Sequence, residues 1–212
     1  MKAAHTQTTL MESQRNNGHY TQSELESFGF KSLGKCVLIS RLAQIYTPSL
    51  ISIGDYVRID DFVILSGAIH LGRFLHIGAY ASITGGNGKD SSVSMGDFCG
   101  MSSYSKIFAT TDDFAGGYLV CPCVPFTLRN VRASHIQLER HCHIGSHSLI
   151  LPQSHFCIGA SLGPMSLNMG RKFKAWHYYY GNPAKPIYKI DSHNVLDKET
   201  ILLNSTLKEQ LC

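Results

Sequence analysis

The chain has 212 residues, with 19 lysines and arginines against 15 acidic residues and a formal charge of +4. That length buries a good core in one elongated domain with short appendages. The mild charge suits a phosphorylated ligand, and with no arginine–lysine stripe it argues against nucleic acid. The opening MKAAHTQTTLMESQRNNGHYTQ is polar, and no apolar run approaches the ~20 residues of a membrane span, so the expectation is a soluble, cytoplasmic protein. Seven scattered cysteines, with Cys121-Pro-Cys123 in place of a CxxC pair, suggest neither a disulfide framework nor a zinc site.

Residues 1–20, rich in Gln, Asn, Thr and Ser, are expected to be loosely attached. Ser23 to Phe28 then reads as a short helix, with Thr21 as N-cap and Gly29 at the stop. From Ile39 a six-residue grid begins (Ile39, Ile45, Ile51), slips by two, and continues as Ile53, Ile59, Leu65, Leu71, Ile77, Ile83, Met95, Met101 and Ile107, broken only at Lys89. Four residues after the grid positions lies a second, smaller column, Val57, Val63, Ile69, Leu75, Ala81, Val93, Cys99 and Ser105, with Asn87 the exception. A period of six fits neither an amphipathic helix nor an alternating strand. It is the signature of a hexapeptide solenoid, each hexad forming one face of a triangular coil whose core closes only by stacking.

Residues 108–135 do not repeat and carry the turn chemistry of Gly116-Gly117, Pro122 and Pro125, which predicts a long functional excursion loop. The grid returns with Leu138, Ile144, Ile150, Phe156 and Leu162. Beyond Ser166 the chain turns basic and aromatic, and its last stretch, with Val195, Leu196, Ile201, Leu202 and Leu207, is compatible with a short amphipathic helix. The predicted organisation is an N-terminal segment over 1–36, a repeat domain over 37–170 interrupted at 108–135, and a basic, aromatic segment with a helix over 171–212.

The hexads, together with Ile144-Gly145-Ser146-His147, Leu162-Gly163-Pro164-Met165-Ser166 and Gly181-Asn182-Pro183-Ala184-Lys185-Pro186-Ile187, resemble the left-handed β-helix acyltransferases over roughly residues 37–190. Within them the chain is most similar to sugar O-acetyltransferases of the galactoside and maltose acetyltransferase type, in their surface-polysaccharide branch. The resemblance implies an all-β solenoid, a left-handed parallel β-helix with an excursion loop and a short C-terminal helix. It also implies a homotrimer with active sites between subunits, acetyl-CoA as acyl donor, and a sugar hydroxyl in O-antigen or capsule biosynthesis as acceptor. One alternative is an N-acetyltransferase for an amino-sugar nucleotide. Another is a non-enzymatic β-solenoid that binds a ligand or acts as a scaffold.

Acyl transfer needs a general base near neutral pKa and donors for the oxyanion. The family's catalytic histidine column falls here on Asp112, with Asp113 beside it. His76 lies 36 residues earlier, two coils of three hexads on the grid, so the two are expected in one column about 10 Å apart. Both remain candidates for the base. By resemblance Thr84 stands where relatives carry a substrate-orienting asparagine, close to Asn87 in a glycine-rich stretch. His143 would face the pantetheine arm, Gly145, Ser146 and Gly163 would let it approach the backbone, and Arg171, Lys172, Lys174 and Lys185 would meet the phosphates. Trp176 and Tyr178 to Tyr180 could stack on adenine or form a trimer contact. The histidines at 135, 141, 143, 147 and 155 lack the spacing of a zinc site in this fold, and no metal is expected.

Overall fold

The computed structural model describes residues 18–205. Three sheets of seven, eight and six strands form the faces of a prism, and the chain visits them in rotation, advancing one strand per face per turn. The architecture is an all-β parallel solenoid of about seven turns that matches a left-handed β-helix.

The register follows the aliphatic grid. On the second face Ile39, Ile59, Ile77, Met101, Ile144, Leu162 and Tyr179 pair in succession along one hydrogen-bonded ladder. The aliphatics of both columns point inward and are nearly all buried, from Ile39 to Phe173. Each such side chain contributes roughly 1.5–3 kcal/mol by leaving water, and only the neighbouring coils make that burial possible.

The corners are built by residues the aliphatic grid does not display. Three places after the grid aliphatic, a non-glycine residue takes the left-handed conformation in coil after coil: Tyr56, Phe62, Phe74, Tyr80, Phe98, Tyr104, His141, His147 and Trp176. Their rings stack along the prism edges. Tyr56, Phe74, Phe98 and His141 follow one another at 4.8, 4.9 and 5.0 Å between centroids. Phe62, Tyr80, Tyr104 and His147 do the same on the next edge. Ring stacking at the coil spacing offsets the steric cost of the left-handed backbone. The turn glycines answer a different need. A Cβ on Gly54 would sit 2.6 Å from the carbonyl oxygen of Gly72 in the next coil.

The two-residue slip at Ile51 is a corner turn, Pro48–Leu50, after which Ile51 and Ile53 both face inward on the first face. The break at Lys89 has a larger consequence. Asn87 Oδ1 accepts from the Lys89 and Asp90 amides and holds residues 87–90 in an outward turn. A hexad is thereby taken out of the coil, so Met101 pairs with Ile77, 24 residues back. The expectation that His76 and Asp112 share one column is therefore incorrect. His76 stands beside Gly100 and then His143, whereas Asp112 has left the ladder.

The excursion loop has structure of its own. Strands Thr110–Asp112 and Val131–Ala133 pair antiparallel as a neck, and Phe126–Leu128 forms a helical turn near its far end. The ladders also run past the predicted repeat boundaries: Ser32–Leu33 already pairs with the second coil, and Lys172–Phe173 and His177–Tyr180 make the last. The aromatic tail is thus part of the prism. Trp176 occupies a corner beside His141, Tyr179 stacks on Phe173 at 3.7 Å, and Tyr178 stacks on Tyr188 of the returning antiparallel strand Lys185–Lys189.

At the N-terminal end, helix α1 (Gln22–Glu26) has the expected N-cap Thr21, which forms a capping box with Glu24 as its reciprocal partner, and Gly29 follows at φ 74°. Residues 1–17 of the expected loose segment lie outside the described residues, while His19 bridges Ser40 and Tyr20 donates to Ile39. Helix α2 (His193–Asn204) packs on the prism, and its one buried residue is Glu199. Leu207 lies outside the described residues. Cys36 is disulfide-bonded, where the sequence suggested no disulfide framework. No described helix is long and apolar enough to cross a membrane.

Candidate active site

On the second face the outward positions form a column: Arg58, His76, Gly100, His143, Ser161 and Tyr178. Strand alternation dictates this, since the neighbours of each residue are the inward aliphatics. A groove of about 920 Å³ runs over the middle of the column, within the size range of small-molecule sites. Phe74, Phe98 and His141 of the corner stack line one side, Ser102, Ser103 and Ser146 the other, and helix α2 contributes Val195, Lys198, Glu199 and Leu202.

His76 is the most exposed member of a short chain of polar contacts. Its Nε2 lies 2.7 Å from Asp60 Oδ2, and Asp60 Oδ1 accepts from Arg58 Nε at 2.7 Å. Burial works to raise the Asp60 carboxyl, but the hydrogen bonds from His76 and Arg58 outweigh it and hold the group below the usual carboxylate range. An ionised Asp60 accepting the Nε2 proton leaves Nδ1 of His76 as the free acceptor.

His143, two rungs away, is in a different state. Burial, and secondarily the nearby His141, push its pKa below the ordinary imidazole value and favour the neutral ring. Between the two histidines Gly100 keeps the floor open: a Cβ there would lie 3.2 Å from His143 Nδ1. Beneath the floor the buried thiols of Cys99 and Cys142 face each other. Their contact, together with burial, pushes the Cys142 thiol far up, so it is inert.

Of the residues singled out from the sequence, the groove gathers His76, His143 and Ser146. Gly145 and Gly163 are required by coil stacking: their Cβ atoms would collide with the Pro164 backbone and with the Tyr178 ring. Thr84 and Asn87 belong to the third face and its turn, where Thr84 pairs with Phe108 at the foot of the excursion neck.

Asp112 and Asp113 lie at that neck. Asp112 Oδ1 accepts from Arg129 Nη2 at 2.8 Å. Asp113 accepts from Ala115 N, Asn130 Nδ2 and Arg132 Nη2, and the Ala115 amide foremost holds its carboxyl below the usual range. Both carboxylates are thus held by ion pairs from the returning segment of the loop. Lys172, Lys174 and Lys185 are exposed and do not line the groove.

Sequence reasoning missed Asp60, Gly100, Lys198, Glu199 and the corner rings. The rings had a legible signal, an aromatic column three places after the aliphatic one. The Asp60–His76 contact had none, because it joins neighbouring coils 16 residues apart.

A hexapeptide-repeat prism with a histidine-bearing groove across its coils defines an acyltransferase of the β-helix class, and the chain belongs to that family. It is 34% identical over 191 residues to the dTDP-4-amino-4,6-dideoxy-D-glucose acyltransferase of Escherichia coli, covering 89% of this chain and 96% of that protein. Among solved structures it is similar to AntD, an N-acyltransferase from Bacillus cereus. The AntD complex with dTDP and 3-hydroxybutyryl-CoA shares 39% identity at a TM-score of 0.84 over 89% of this chain and 99% of that one. An AntD variant holding dTDP-4-amino-4,6-dideoxyglucose and coenzyme A shares 38%, also at 0.84, over 89% and 99%. A hexapeptide-repeat acetyltransferase from Vibrio cholerae, 13% identical over 90% of this chain and 95% of that one, shares the fold at a TM-score of 0.53. No protein-family model matches the chain. The motifs led to an expectation of the maltose-type O-acetyltransferase branch, whereas the E. coli and B. cereus relatives are amino-sugar and N-acyltransferases.

Proposed function

We propose that the protein transfers an acyl group from a coenzyme A thioester to the amine of a dTDP-linked 4-amino-4,6-dideoxy sugar. The observation that carries this reading is the similarity, over nearly the full length of both chains, to an acyltransferase for that sugar nucleotide. AntD, bound to dTDP, to that amino sugar and to CoA species, supports it independently. The sugar-hydroxyl reading yields to its amine alternative.

In the reaction the amine lone pair attacks the thioester carbonyl, the oxyanion collapses, and the CoA thiolate leaves. The attacking nitrogen must shed a proton on the way. His76 is assigned that proton through Nδ1, with Asp60 fixing the tautomer and stabilising the imidazolium, and the thiolate is the final acceptor. Neutral His143, with Gly145, Ser146 and Gly163 along the same face, is assigned to the pantetheine arm, and Lys172, Lys174 and Lys185 to the outer phosphates. Asp112, Asp113, Thr84 and Asn87 cluster on the third face and its neck. In the homotrimer that the family resemblance implies, these four residues are assigned to hold the sugar from the neighbouring subunit.

The test is transfer from acetyl-CoA to dTDP-4-amino-4,6-dideoxyglucose, with dTDP-6-deoxyglucose, its hydroxyl counterpart, in parallel. Amide formation on the first and none on the second is expected. Ester formation on the second alone restores the O-transfer reading, and no CoA binding at all favours a non-enzymatic solenoid.

A further inference from the structure

Helix α2 turns one face to the groove, since Val195, Lys198, Glu199 and Leu202 recur at helical spacing and all line it. A helix recruited to cover apolar surface docks through apolar side chains, yet the one residue this helix buries is Glu199. A buried carboxylate is costly unless paired. Glu199 Oε2 lies 2.9 Å from His141 Nε2, and Oε1 lies 3.2 Å from Arg140 Nη1. His141 is itself stacked on Phe98 and flanked by the tilted ring of Trp176, so its ring is held from both sides. The anchor engages the carboxylate that lines the groove and leaves Lys198, its neighbour in the helix, without an acidic partner among the described residues.

We propose that Lys198 is an anion-binding residue of the groove, meeting a phosphate of the bound nucleotide, and that Glu199 is the residue that positions it. The proposal rests on the acyl-transfer reading above. Both of that reaction's substrates carry phosphates: the diphosphate of the sugar nucleotide, and the diphosphate and 3′-phosphate of coenzyme A. An ammonium on a flexible four-carbon stem suits either. This assigns phosphate contact to the C-terminal helix, in addition to the basic residues that precede it in the chain.

The experiment is calorimetric binding of coenzyme A and of dTDP, each alone, to the full chain and to K198A, K198R and E199Q. K198A is expected to weaken one of the two ligands by about tenfold or more, as a lost charge-assisted contact does, with a shallower salt dependence. The ligand that changes identifies the phosphate. K198R is expected to recover most of the loss, and E199Q to weaken the same ligand. Wild-type affinity of K198A for both ligands overturns the proposal. So does a loss common to both ligands that K198R does not repair, which would make the helix merely structural. If the wild-type chain binds neither ligand, the acyl-transfer reading itself fails, and that outcome is distinct from a failure at Lys198 alone.

Discussion

The second-face column and the excursion neck place polar residues by opposite rules. In the column, position is inherited from the hydrogen-bond ladder: because Ile77, Met101 and Ile144 are in register, the outward residues beside them, His76, Gly100 and His143, line up over the groove. At the neck the chain leaves the ladder. Asp112 and Asp113 are located by a local antiparallel pairing and by contacts to Arg129, Asn130 and Arg132 on the returning segment. A repeat therefore presents groups at fixed intervals along one subunit, while an excursion can carry groups to wherever its own contacts point. An enzyme whose sites lie between subunits can use both.

Substitution at His76 gives the sharpest break in this comparison. His76→Ala is expected to lower kcat by about 10²–10⁴-fold, the usual contribution of a general base, with Asp60→Asn giving a smaller loss of the same kind. An unchanged kcat for His76→Ala would move the base off the column. Asp112→Asn is expected to reduce kcat/KM by roughly tenfold through mispositioned sugar. Co-assembling it with His76→Ala should restore activity if the proposed trimer forms, because its mixed form would contain some clefts with both native residues. No restoration on mixing would place the column and neck in separate sites.

Stability separates the regions too. Phe98→Ala removes one ring that stacks on two partners in the corner ladder and is expected to cost about 2–3 kcal/mol in chemical denaturation, with the groove wall loosened. Acid provides a finer probe. Burial tends to raise the Asp97 carboxyl, but the contacts from Arg73 prevail and hold it below the usual value. A folded-state pKa below the unfolded one stabilises the protein above about pH 4 and is lost as pH falls through the lower, folded value. Melting temperatures of Asp97→Asn should accordingly lie below wild type at neutral pH and converge with it in acid. Parallel curves would deny the pair any role. The smallest effect is expected from Gly100→Ala, whose methyl would crowd His143 and raise the KM for the acyl donor a few-fold without changing kcat.

Most of the prism was legible in the residues. The aliphatic period of six determines coil, face and inward set, since only that spacing lets three short strands close around one core. The acyltransferase class followed from the hexads and the Gly181–Ile187 segment, and a better reading of the same repeat would have found the aromatic corners. The site was legible only in part, because counting sixes assumes every hexad lies in the coil. Asn87 to Asp90 lie outside it, and that one turn moved Gly100 and His143, instead of Asp112, into line with His76. The contacts that complete the groove, Asp60 with His76 and Glu199 with His141, span 16 and 58 residues of chain. Periodicity determined which side chains face out. Which of them meet was decided by coil register and by the docking of the C-terminal helix, because hydrogen bonds and ion pairs depend on distances that only the packed structure sets.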